Sequence, residues 1–253
     1  MSIIKILSSQ YDRELLRFFI KKELVAPYKG SGFGAFWNVL IPFFIMMIYA
    51  FVFGFLFGGN KSAGSISNYV LIVVSGFLFW ISFTESLSTG AVAITLNAGY
   101  IKKNKFPINI LFLNVVVSGL IKQLILFAIY FLMYAYVNRS FSLGFLFVLP
   151  VLVVFMLLCF GFVQILGSIT PYFKDTPHII NLLLRLGMYL SCVLYNIEQI
   201  PIKDHSMYLY LNPVASCIIL SRYFVFGVNQ EYAYPSVISI ICWTIVTLII
   251  GHL

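Results

Sequence analysis

The chain reads as an all-α membrane protein. It has six transmembrane helices, an amphipathic interface helix before the first, and outer re-entrant helices before the last. Three observations predict this. Hydrophobic residues fill 61% of the 253 positions and charged ones only 9%, against roughly 25% charged in a soluble domain. Such a chain cannot cover a water-facing surface, and its mean hydropathy is +1.00. Apolar runs over 37–58, 69–95, 108–137, 141–170, 179–197 and 235–252 are long enough to cross a bilayer, which takes about 20 residues each. Finally, basic residues alternate between the connections.

The basic residues set the orientation. The segment before the first span carries Lys5, Arg13, Arg17, Lys21, Lys22 and Lys29, and the next connection only Lys61. Lys102, Lys103 and Lys105 follow, then a lone Arg139, then Lys174 beside Asp175. Ten of the sixteen Lys and Arg thus fall on one side. Such an excess marks the cytoplasmic face, so both termini are expected there. The net charge of +8 forms no broad solvated face, so nucleic acid is not an expected partner. The first 36 residues lack an apolar stretch followed by a small-residue cleavage site, so no signal peptide is expected. No internal repeat is evident. One domain is expected over 1–253: a cytoplasmic segment with its interface helix (1–36) and a six-span bundle (37–253).

Residues 9–24 predict the interface helix. Tyr11, Leu15, Phe18 and Phe19 share one face, with Asp12, Arg13, Glu14, Arg17 and Lys21 elsewhere. In the first span Tyr49 and Phe53 lie on one stripe at i, i+4, with Pro42 and Ile45 on it below, and are expected to line a channel. Tyr189 and Tyr195, near the outer end of the fifth span, are similar candidates. Any one ring is better explained by packing or lipid contact, since aromatics fill cores and interfaces.

Three charges fall within spans: Glu85, Lys122 and Arg185. Each costs about 2.5–3.5 kcal/mol near a helix centre. Lys122 lies in a long stretch where it could snorkel. Glu85 lies about ten residues and Arg185 about six from the cytoplasmic ends of their spans, which at ~1.5 Å per residue puts both in the inner half of the bilayer. They are expected to pair or to face a common wet cavity. Against this stands the plainer reading that each meets water or a carbonyl on its own.

The segment 200–227 lies outside yet is mostly apolar. Its run from Val214 is too short to span, and a break at Asn212-Pro213 suits re-entrant helices. Irregular backbone at membrane depth survives only where protein or a water-lined path surrounds it.

No catalytic constellation is present. His178, His205 and His252 are scattered, and Cys159, Cys192, Cys217 and Cys242 have no metal-binding spacing. The glycine-rich run 54–62 lacks the adjacent Gly-Lys of a P-loop and ends an apolar helix rather than a strand. Any nucleotide chemistry is expected on another chain.

Pro27-Tyr28-Lys29-Gly30-Ser31-Gly32-Phe33-Gly34-Ala35-Phe36-Trp37 resembles the RYK-x-S-x-L-G-x-x-W signature of membrane subunits of type-2 polysaccharide ABC exporters. The basic connection from Asn97 to Pro107 resembles their N-x-x-L-I-x-K-x-x-F-P element. Phe173-Lys174-Asp175, Ile200-Pro201, Asn212-Pro213 and Arg222 match later landmarks in order. The sequence departs from the pattern at Ala26-Pro27, where a basic residue commonly precedes the tyrosine. Lys174 stands for the usual Arg, exchanging a planar fork for a point charge.

The resemblance implies a type-2 ABC exporter permease in a bacterial inner membrane: a homodimer bound to two copies of a cytoplasmic ATPase. ATP and Mg would sit on that partner, with no cofactor in this chain. The cargo would be a lipid-linked polysaccharide of the O-antigen, capsule or teichoic-acid kind, moved through a channel surrounded by membrane lipids. Lys102, Lys103, Lys105, Phe106 and Pro107 would form the coupling helix. Arg13 and Arg17 would add a second ATPase contact, and Lys174 and Asp175 a third. Asn212, Pro213 and Arg222 would belong to the outer gate. Three rival readings stay open: a type-2 permease for a drug or small lipid, a membrane-embedded lipid- or glycan-modifying enzyme, and a passive channel.

Overall fold

A computed structural model describes residues 9–53, 66–103, 107–197 and 205–252. All regular structure among the described residues is helical. Helix α1 (Gln10–Val25) starts where Ser9 accepts the Asp12 amide at 3.4 Å. It ends at Ala26-Pro27, because proline cannot continue a helix. Helix α2 (Trp37–Phe51) follows a short 3-10 turn and contains Pro42. Helix α3 (Ile66–Leu96) is the longest, and α4 (Ala98–Lys103) is a single short segment. Helix α5 (Asn109–Asn138) ends at Arg139, which takes the left-handed conformation at φ 52°. Helices α6 (Gly144–Ile169), α7 (Thr176–Leu190), α8 (His205–Leu211), α9 (Pro213–Phe226) and α10 (Ala233–His252) complete the chain.

Helix α3 is the axis of the bundle. It packs against α5, α6, α7, α9 and α2. Phe77, Phe79, Leu71 and Val73 on it are buried, with Phe79 edge-on to Phe155 of α6 at 5.2 Å. Helix α10 closes on α6 through small residues, where a Cβ at Gly161 would stand 2.6 Å from the Thr247 hydroxyl oxygen. Without a water-driven force between helices in lipid, such close approach supplies packing energy instead.

Five described helical stretches are long and apolar enough to cross a bilayer: Gly34–Phe51, Ser67–Leu96, Asn109–Asn138, Gly144–Ile169 and Gln230–His252. The run expected as the fifth of six spans, 179–197, behaves differently. Its helix α7 has only 15 residues. That is about 22 Å of helix, short of the roughly 30 Å hydrocarbon thickness. The chain then turns through Cys192 at φ 54°. Residues 191–197 continue as mostly buried, largely non-helical backbone. Hydropathy could not register this break, because Cys192, Val193 and Leu194 are as apolar as the helix before them.

The expected apolar stripe of α1 divides between two surroundings. Tyr11 and Phe18 are exposed, whereas Asp12, Leu16 and Phe19 are buried against the bundle. The helix is rotated so that Glu23 reaches polar groups on α5.

Candidate transport cavity and its ionic seam

A cavity of about 540 Å³ opens between α2, α3 and α7. Tyr49, Trp80, Glu85, Ser88, Arg185 and Met188 are among its lining residues. Tyr49 is held by Phe77, 4.8 Å between ring centroids. Phe53 stacks on Tyr49 at 8° but does not itself border the cavity. Ser88 donates to the Asn181 side-chain oxygen at 2.7 Å, fastening α3 to α7. Tyr189 lies outside this cavity, exposed, and the Tyr195 hydroxyl donates to its carbonyl.

Glu85 and Arg185 both border the cavity, but they are not ion-paired. Glu85 instead pairs with Lys122 of α5. The Lys122 side chain is 8% exposed and that of Glu85 43%. The pair therefore has a dry end in the α3–α5 seam and a wet end in the cavity. Arg185 has no ion-pair partner among the described residues.

The polar seam continues along α5. Lys122, Ser118 and Asn114 stand four residues apart on one face, and Ser118 donates to the Asn114 side-chain oxygen at 3.3 Å. The Asn114 amide donates in turn to the Glu23 carboxylate on α1. Burial pushes the Glu23 carboxyl above its usual range. Lys122 and Asn114 oppose the rise, and Glu85 adds to it. The i, i+4, i+8 spacing of Asn114, Ser118 and Lys122 was the available signal for this seam. Treating Lys122 as a snorkelling side chain hid it, and Glu23 was not singled out.

The residues expected to meet an ATPase lie on α1, on and after α4, and just before α7. Lys22 donates to the Asn97 side-chain oxygen at 3.2 Å and lies 4.6 Å from the Tyr100 ring centroid. This joins α1 to the end of α3 and to α4. Lys102 is exposed and Pro107 half-buried. Lys105, Phe106 and the Lys103 side chain lie outside the described residues. Arg13, Arg17, Lys174 and Asp175 are exposed.

At the other end, Asn212 breaks the chain between α8 and α9. Its carbonyl oxygen caps α9 by accepting the Ala215 amide at 3.1 Å, and Pro213 follows as the first helical residue. Its amide nitrogen donates to Leu190 O at 2.8 Å and to the Ser191 hydroxyl at 3.1 Å, tying the break to the end of α7. Arg222 is fully buried. Among the described residues it meets no carboxylate, but it donates to the carbonyls of Ile72, Val193 and Tyr195 at 2.9–3.0 Å and to Ser75 at 3.3 Å. Its geometry is that of a clamp around the non-helical segment 191–197.

Three comparisons bear on this arrangement. Residues 14–226 match the family described as ABC-2 type transporter. The chain is 31% identical over 229 residues to the "O-antigen export system permease protein RfbA" of Klebsiella pneumoniae, covering 90% of this chain and 86% of that protein. It is 30% identical over 206 residues to the protein of the same name from Myxococcus xanthus, covering 81% and 77%. The chain belongs to the ABC-2 type transporter family and is a multi-pass membrane subunit of a transporter whose ATPase is a separate subunit.

Proposed function

We propose that this chain is the permease of an O-antigen-like exporter, moving a lipid-linked polysaccharide outward across the bacterial inner membrane. The observation that carries the reading is similarity along nearly the whole chain to two proteins named as O-antigen export permeases. The cavity between α2, α3 and α7 supports it, because rings such as Tyr49 and Trp80 offer apolar faces to sugar C–H groups while Asn38, Glu85, Ser88 and Arg185 offer partners to hydroxyls.

In this reading the chain works as a homodimer with two ATPase subunits, both termini cytoplasmic. ATP and Mg act on the partner, and ATP binding favours its closed form. The resulting displacement enters through Lys102, Lys103, Lys105, Phe106 and Pro107, and through Arg13 and Arg17 on α1. Lys174 and Asp175 add a contact before α7. Helices α2 and α7 move apart, and Tyr49 borders the path with Phe53 stacked against it, with Tyr189 and Tyr195 toward its outer end. Asn212 and Pro213 shape the outer gate, and Arg222 holds it. The ATPase shifts this equilibrium only as far as its affinities for the two forms differ.

The test is deletion of the gene in its host, with polymer measured on both sides of the inner membrane. Loss of surface polymer with lipid-linked glycan accumulating inside is expected, and sugar analysis then names the cargo. Unchanged surface glycan with no internal pool overturns the reading in favour of a drug or small-lipid permease.

A further inference from the structure

We infer that Lys122 is a positioning residue, a buried ammonium paired with Glu85 in the cavity wall and carried on the same α5 face as the Asn114 that holds Glu23 of the interface helix, so that the ionic partner of Glu85 governs how tightly α1 is held. Four observations lead there. Lys122 is almost wholly buried, and its ion pair is with Glu85. Glu85 is the more exposed member and borders the cavity together with Arg185, an alternative cation on α7. On the opposite side of the seam Glu23 is held by Asn114, eight residues before Lys122 on the same face of α5. Finally, Glu23 lies within the electrostatic reach of both Lys122 and Glu85, with opposite signs.

One buried ammonium cannot neutralise the charge of both carboxylates. In the arrangement described, Glu85 holds Lys122. If α7 carries Arg185 onto Glu85, the Lys122 charge is left to Glu23 and the grip on α1 tightens. If Arg185 withdraws, Glu85 recovers Lys122 and α1 loosens. The link joins a surface facing the cytoplasm to a surface facing the cavity through fixed charges in a water-poor seam, where Coulomb interactions are screened little. Its consequence for export rests on the proposed reading of α1 as an ATPase contact. The link itself does not.

The link makes a signed prediction that a purely structural role does not. Backbone hydrogen exchange across α1 is measured at pH 8 on the full chain in lipid nanodiscs. Lys122→Met removes the cation and should speed exchange in α1. Glu85→Gln frees the cation for Glu23 and should slow it. Each change is expected to be about threefold or more. Glu23→Gln should abolish the effect of Glu85→Gln, and Lys122→Arg, which keeps the charge, should leave exchange near wild type.

If Glu85→Gln and Lys122→Met both speed exchange, the pair merely stabilises the bundle and the inference is overturned. Unchanged α1 exchange in both variants overturns it as well. The nanodisc experiment contains no ATPase and no polysaccharide. Its failure is thus separate from failure of the exporter reading, which the gene deletion decides.

Discussion

The guanidinium of Arg222 on α9 donates to the carbonyl oxygen of Val193 at 3.0 Å, and it reaches there across a glycine. A Cβ at position 76 would stand 2.6 Å from that same carbonyl oxygen and 3.0 Å from the Arg222 Nη2. The clamp therefore needs both a long, multiply donating side chain and a bare backbone on α3.

Arg222→Met should leave the carbonyls of Ile72, Val193 and Tyr195 with fewer partners in a buried site. Each stranded acceptor costs about 1–3 kcal/mol, so three of them predict a loss of at least about 3 kcal/mol, read as a lowered thermal midpoint in nanodiscs. Gly76→Ala should damage the same contact by displacing Val193. Because both changes break one clamp, the double variant should lose less than the two single losses added together. Full additivity would mean that Gly76 and Arg222 act separately.

Asn212 does two jobs with one side chain, and they can be divided. Asn212→Asp keeps the oxygen that caps Ala215 but loses the amide donor to Leu190 and Ser191. Asn212→Ala loses both. Loss of a cap costs ~1 kcal/mol. Alanine should therefore lower stability further than aspartate, by about that amount on a denaturation curve. Equal losses would assign the whole effect to the tether between α7 and α9.

Much of this architecture was legible in the sequence, for reasons that mark where legibility stops. Ser9 and Pro27 bracket α1 by local chemistry, so its existence could be read directly. Its rotation could not, because Glu23 turns inward to meet Asn114, 91 residues away. The Asn212-Pro213 break carries its own local signal. The end of α7 does not, since residues 191–197 are mostly apolar and their non-helical path depends on Arg222 and residues of α3 far along the chain. Glu85, Lys122 and Arg185 stood out as charges within spans. Which two would pair was a tertiary question: α5 and α7 both pack on α3, and it is Lys122 in the α3–α5 seam that reaches the Glu85 carboxylate.

Glu23 should make α1 docking depend on pH. Its folded carboxyl binds a proton more tightly than the ordinary value of 4.5, chiefly because burial disfavours the charge. Protonation then favours the docked form. Docking should be strongest near pH 4.5 and weaken as pH rises through the elevated folded value. Glu23→Gln mimics the protonated group and should show a flatter profile. Comparing α1 exchange in the two proteins at pH 5 and pH 8, after correction for intrinsic rates, checks this. A difference that grows toward low pH would have the wrong sign.

The cavity gives the most direct test of where cargo passes. Ile45 borders it from α2, near Tyr49 and opposite Arg185 on α7. Replacing Ile45 with Trp adds a bulky ring where about 540 Å³ stands open, and the side chain already faces outward enough to be 39% exposed. The bundle should therefore still fold and assemble with its ATPase. Surface polymer should fall by about tenfold, equivalent to ~1.4 kcal/mol, while the complex remains in the membrane in normal amount. Leu157 on α6 is similarly exposed at 41% but does not border this cavity. Leu157→Trp should leave export intact, since its ring only adds to an apolar outer surface. If both variants export normally, cargo takes another route, and the aromatic wall around Tyr49 is packing rather than path.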